Sequence, residues 1–182
     1  MQKSRRLVLL AALVATVVGG CATQPSRQND PQGYSTEQLR KIGEKYLAAG
    51  DAPRALKYLG DAAQREPKDA VIQHDLGLAY SARGMKQEAL GHFQKAITLR
   101  PDYSEAHNSL GAFYADQKEP EKAEEYFRKA LANPLYSTPE YSHYNLGRVA
   151  EQRRDFAAAA REYQEAIRLQ QSYAPAHYRL GV

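Results

Sequence analysis

The chain has 182 residues, 43% hydrophobic and 25% charged, with 25 Lys+Arg, 21 Asp+Glu and a single Cys. That balance suits one or two globular units and excludes a chain disordered throughout. One Cys excludes an internal disulfide framework and a thiolate zinc site, and a formal charge of +4 leaves little cationic excess for a nucleic-acid partner.

From the N-terminus, Lys3, Arg5 and Arg6 precede the run Leu7 to Val18, in which eleven of twelve residues are Leu, Val or Ala. Twelve residues of helix reach about 18 Å, short of the roughly 30 Å hydrocarbon core, so residues 1–20 read as an export signal and not a spanning helix. Without them 22 Lys+Arg face 21 Asp+Glu, a net charge of +1, which argues against a nucleic-acid surface. The run ends in Val18-Gly19-Gly20-Cys21, which resembles the lipobox of bacterial lipoproteins. That resemblance implies that Cys21 is acylated and becomes the mature N-terminus, anchored in a membrane and facing the periplasm. Ala22 stands where an Asp would retain an enterobacterial lipoprotein at the inner membrane, which implies the outer membrane. Residues 21–34, rich in Pro, Gln, Ser, Asn and Gly, read as a flexible tether.

From Ser35 onward one unit recurs. An apolar residue and Gly stand together at Ile42-Gly43, Leu76-Gly77, Leu110-Gly111, Leu146-Gly147 and Leu180-Gly181, with Gly spacings of 34, 34, 36 and 34. Three residues after the Gly stand Tyr46, Tyr80 and Tyr114, with Ala150 the exception. Twelve after it stand Ala55, Ala89, Ala123 and Ala159, and nineteen after it Ala62, Ala96, Ala130 and Ala166. Sixteen after it come Leu59, Phe93, Phe127 and Tyr163. Gly inside a helix costs about 1 kcal/mol relative to Ala, so its return in one register needs a reason, and close approach of paired helices supplies one.

This pattern resembles the tetratricopeptide repeat, a helix-turn-helix unit. The resemblance implies an all-α fold, a right-handed superhelical solenoid of repeats at about 36–69, 70–103, 104–139 and 140–173, with a partial unit at 174–182. Ser35 with Gln38 predicts a capping box, and Pro53 and Pro120 fall in the first turns of second helices. The segment Asn133 to Pro139 carries two extra residues, and Thr138-Pro139 is expected to cap and start the next helix. Tyr178 and Leu180 are not the polar face of a terminal unit, which predicts that the fifth unit continues in a segment beyond these residues.

No G-x-S-x-G, H-E-x-x-H or phosphate-cradling Gly loop occurs, and the expectation is a protein that is not an enzyme and needs no cofactor. His107, His143 and His177 share one column at spacings of 36 and 34, too far apart for ligands about 2.1 Å from one zinc ion, so no metal is expected. The tetratricopeptide resemblance implies an inner groove built from places two, five and nine of each first helix. These are Glu37, Arg40 and Glu44; Val71, His74 and Leu78; Glu105, Asn108 and Ala112; and Tyr141, Tyr144 and Arg148. The strongest candidates for holding a peptide are Arg40, Glu44, His74, Leu78, Asn108, Tyr141, Tyr144 and Arg148. A clamp for a client's terminal carboxylate is rejected, because its places hold Arg40, Glu44 and Asp75.

The lipidated Cys, the tether and the stretch Ala130 to Gly147 are similar to the type IV pilus biogenesis lipoproteins, the pilotin group. That likeness implies an outer-membrane scaffold that helps the pilus secretin localise and assemble. The alternatives are an adaptor lipoprotein in outer-membrane protein assembly, cytochrome maturation or cell-wall synthesis, or a hydrolase or transferase subunit whose active site lies further along the chain.

Overall fold

A computed structural model describes residues 33–181; the expected export signal, Cys21 and all but the last two residues of the expected tether lie outside the described residues, as does Val182. The described residues form nine helices and no strand. They are α1 (Thr36–Ala48), α2 (Ala52–Arg65), α3 (Ala70–Ala82), α4 (Lys86–Leu99), α5 (Ser104–Asp116), α6 (Pro120–Leu131), α7 (Pro139–Gln152), α8 (Phe156–Leu169) and α9 (Ala174–Leu180). Successive pairs form antiparallel hairpins, and each hairpin packs on the next through α2 on α3, α4 on α5, α6 on α7 and α8 on α9. The result is the expected all-helical solenoid, one helix pair per unit.

Local chemistry sets the helix ends. Ser35 Oγ accepts the Gln38 N–H at 3.2 Å and Gln38 Oε1 accepts the Ser35 N–H at 2.8 Å, which is the expected capping box. Asp51 accepts the Arg54 N–H at 3.0 Å ahead of α2, and α6 and α7 open on Pro120 and Pro139. Thr138 departs from expectation. It occupies the capping place of α7, but its hydroxyl makes no capping hydrogen bond; held at φ −135° and ψ 55°, it supplies the entry into the helix, and its carbonyl accepts the Tyr141 N–H at 3.3 Å. Between first and second helices the chain turns through a left-handed residue, Gly50 (φ 75) and Gly84 (φ 72), then Lys118 and Arg154 (both φ 62). The last two carry a side chain where it costs about 1–2 kcal/mol.

Inside each hairpin the repeated Gly meets the residue sixteen places on. A Cβ added at Gly43 would stand 2.5 Å from Leu59 Cγ, and at Gly77 and Gly111 it would stand 2.5 Å from the rings of Phe93 and Phe127. At Gly147 it would strike the ring of Tyr163. The two Ala columns are buried against the same seam. Burying each of these large side chains contributes about 1.5–3 kcal/mol, and only a hydrogen atom at the Gly leaves room for it. Gly181 is different. It ends α9 at φ 73 with open space where a Cβ would be.

A second column, fifteen residues after the Gly, is absent from the sequence reading because its residue types vary: Tyr58, His92, Tyr126 and Glu162. The first three stack nearly parallel on the Tyr three places after the Gly. Tyr46 on Tyr58, Tyr80 on His92 and Tyr114 on Tyr126 have centroids 5.5, 5.1 and 5.4 Å apart.

The His column, expected only to pack, has a sharper role. His107 Nε2 donates to the Pro101 carbonyl at 2.8 Å and His177 Nε2 to that of Gln171 at 2.8 Å. Gln73 does the same to Pro67 at 3.2 Å. Each pins the turn six residues earlier to the helix that follows. In the fourth unit, which follows the lengthened junction, His143 turns instead to Glu162, at 2.8 Å.

Candidate functional site

The contacts between helices identify the inner face. α1 touches α3 and α5 touches α7, whereas no two second helices are in comparable contact, so the first helices lie on the more tightly curved side. Places two, five and nine of those helices were expected to face a ligand there. They divide into two groups.

Place five is engaged in joining units. Arg40 Nη1 reaches Asp75 Oδ2 at 3.5 Å, His74 Nε2 meets Ser109 Oγ at 2.9 Å, and Asn108 Oδ1 accepts from Asn145 Nδ2 at 3.2 Å. The Tyr144 hydroxyl lies beside Arg179 and holds that guanidinium above its ordinary range. In every case the residue at place five of one unit meets place six of the next. The joints are thus an ion pair, a His–Ser pair, an amide pair and a Tyr–Arg pair.

This ladder changes what Arg40, His74, Asn108 and Tyr144 can do. Arg40 is ringed by Glu37 at 2.9 Å, Glu44 at 2.5 Å and Asp75 at 3.5 Å. Its hydrogen bond holds the Glu37 carboxyl down to about 2, and Glu37 in turn raises the Arg40 guanidinium, so the cation is already compensated. His74 is only 7% exposed, with Tyr103 edge-on at 5.2 Å and Phe93 at 5.8 Å. Asn108 also accepts from Ser142 Oγ at 2.9 Å. Tyr144 packs edge-on against Tyr173 at 5.5 Å.

Places two and nine carry the open surface. Leu78 is 37% exposed and, with Ala112 and Phe113, lines a cleft of about 240 Å³ between α3 and α5. Tyr141 is 44% exposed, and Tyr173 buttresses it edge-on at 5.5 Å. Arg148 makes no ion pair or hydrogen bond with a described residue. Glu44 shares Arg40 but keeps an exposed carboxylate. The inner face is therefore acidic beside α1, apolar between α3 and α5, and aromatic with one free cation along α7.

Sequence reasoning missed the Tyr residues that precede first helices. Tyr103, Tyr136 and Tyr173 stand before α5, α7 and α9. Burial and the neighbouring Tyr141 and Tyr144 push the Tyr173 hydroxyl up to about 12. A Tyr ahead of Ser or Ala at three of the four unit boundaries was the available signal. Among the described residues no group of three His, Cys, Asp or Glu side chains could hold a metal ion, and no helix is long and apolar enough to cross a membrane.

The tetratricopeptide repeat model matches residues 40–103, 74–137 and 144–182. The chain belongs to the tetratricopeptide-repeat family. Repeats of this family generally bind protein or peptide partners. Among solved structures it is similar to PilW, described as a widely conserved type IV pilus biogenesis factor. The identity is 25% and the TM-score 0.73, over 78% of this chain and 64% of that one. Pseudomonas aeruginosa PilF matches at 22% identity with a TM-score of 0.75, over 79% of this chain and 65% of that one, and speaks for the fold alone. Human IFIT1, solved as a dimer with PPP-AAAA, matches at 26% identity and TM-score 0.72, over 82% of this chain and 38% of that one. No curated protein sequence matches. The tetratricopeptide stack thus spans slightly less than two thirds of the two pilus proteins, and one shape serves proteins of unlike activity, so the residues must decide between roles.

Proposed function

We propose that this tetratricopeptide protein is a membrane-anchored periplasmic scaffold of type IV pilus biogenesis, acylated at Cys21 in the outer membrane, that holds the pilus secretin while its ring assembles. It catalyses no reaction and needs no cofactor. The anchor confines the solenoid to the membrane surface and the inner face holds a client segment there, which raises the client's local concentration for assembly. The observation that carries this reading is the likeness to PilW over 78% of the chain. The lipobox-like Val18-Gly19-Gly20-Cys21 supports the anchor.

The surface supports a polypeptide client over a polyanion. Glu37, Glu44 and Glu105 at places two and nine outnumber Arg148, so a phosphate backbone meets net repulsion, while Leu78 and Tyr141 offer spaced anchors for apolar side chains. The test is co-purification of the full chain with the secretin of the same cell, comparing wild type with Leu78→Ser/Tyr141→Ala. Both side chains are exposed and outside the joints between units, so helicity is expected to persist while secretin capture falls about tenfold or more. Secretin rings that form normally in a deletion strain would remove the pilus role; unchanged capture by the double variant would remove this groove.

A further inference from the structure

The fourth unit departs from its neighbours on the side of the second helices, and the departures coincide. In the second and third units the Tyr three places after the Gly, Tyr80 or Tyr114, stacks on His92 or Tyr126. Each joins a Leu of the preceding second helix, Leu56 or Leu90, in an apolar cluster. In the first and third units a cation lies over that ring, Arg54 4.5 Å from Tyr46 and Lys122 5.1 Å from Tyr114. At the corresponding places the fourth unit has Ala150 for the ring, Glu162 for its stacking partner and Ala158 for the cation, and the preceding α6 has Glu124 for the Leu. What remains is a cleft of about 210 Å³ between α6, α7 and α8, with Leu146, Val149, Ala150 and Ala158 in its lining and Arg128 and Arg153 beside them.

Size and charge define the occupant. Pockets for whole small molecules run roughly 300–1,000 Å³, so this cleft suits one side chain. Every carboxylate of the lining already accepts a hydrogen bond. Glu124 is paired with Arg128 at 2.8 Å and with Arg153, Glu162 with His143 at 2.8 Å, and Asp155 accepts the Ala158 N–H at 2.9 Å. Arg128 and Arg153 are 64% and 35% exposed while engaged with Glu124, and a guanidinium bonded at its edge can still stack through its face.

The geometry points to a binding site for one aromatic side chain, tyrosine or phenylalanine, presented by a partner protein. That ring completes the fourth unit as Tyr80 and Tyr114 complete the second and third. It lies over the small floor, with the two guanidiniums against its face and rim. The site is separate from the inner groove and stands whether or not the client is a secretin.

The test uses the membrane-anchored protein in lipid nanodiscs, labelled at Ala and Val methyls and titrated with N-acetyl-tyrosinamide, N-acetyl-leucinamide and N-acetyl-lysinamide. Saturable shifts at Ala150, Ala158 and Val149 are expected with the tyrosine amide, and affinities about tenfold or more weaker with the other two. Ala150→Tyr supplies the ring from within and should weaken binding by at least about the same factor. Ala158→Lys, patterned on Lys122, blocks the cleft from the surface of α8 and serves if Ala150→Tyr loses helicity. Lysine binding as tightly as tyrosine, shifts that do not saturate, affinity unchanged in a folded variant, or shifts confined to the surroundings of Leu78 and Tyr141 would each overturn the site.

Discussion

Gly60 and Gly77 are both helical, yet the same substitution should move the protein in opposite directions. An added Cβ at Gly77 meets the Phe93 ring at 2.5 Å, while at Gly60 it meets nothing within 4 Å. Gly77→Ala is therefore expected to destabilise by about 1–3 kcal/mol through overpacking, and Gly60→Ala to stabilise by about 0.5–1 kcal/mol through helix propensity. Urea unfolding of the two variants and the wild type checks both signs. Close approach at the repeated Gly was legible in sequence because glycine inside a helix demands a reason. The ring stacks on Tyr58, His92 and Tyr126 were not, since their column mixes residue types. Nor were the left-handed turns at Lys118 and Arg154, where no glycine marks the bend.

Between elements, what holds matters less than where it is aimed. The family's groove places assigned Arg40, His74, Asn108 and Tyr144 to the inner side of first helices. They could not show that each reaches the following unit, because that contact joins place five to place six and uses four different chemistries. The junction of α6 and α7 offers a test by pH. The bonds from Arg128 and then Arg153 hold the Glu124 carboxyl below its ordinary 4.5. A carboxylate whose folded value is depressed stabilises the fold fully above its unfolded value, and that contribution fades as pH falls through the lower folded one. Acidification below about pH 4.5 should thus release Arg153 and lower the amide protection factors, taken relative to intrinsic exchange at each pH, at the α6–α7 seam. Glu124→Gln should show the lower protection already at neutral pH and respond less to acid; equal slopes for variant and wild type would refute the assignment.

For the whole molecule, stability is a sum over units and their junctions, so loss of the anchor should leave the stack intact. On the proposed reading, Cys21→Ser keeps the helical circular-dichroism signal but moves the protein out of the membrane fraction. Retention at the wild-type level would sink the lipid anchor. The stack of helix pairs was readable because Gly and Ala recur every 34 residues, 36 at one junction, from Gly43 to Gly147. The division of the inner face into open and engaged residues was not, since exposure depends on the neighbouring unit and not on the residue's own helix. Leu78, Tyr141 and Arg148 could be told from His74 and Asn108 only once the hairpins were stacked.

The four unlike rungs between successive units have a further effect. Every hairpin closes by much the same lock of a large apolar side chain on glycine, so the hairpins alone would be nearly interchangeable and a slipped assembly would pack almost as well as the native one. Moving one hairpin past its neighbour, however, sets Arg40 against Ser109, or Asn108 against Asp75, and leaves a guanidinium or a buried carboxylate without its mate. The polar pairs thus work as a set of keyed connectors, one lock to each key, and fix the order in which identical-looking parts are threaded.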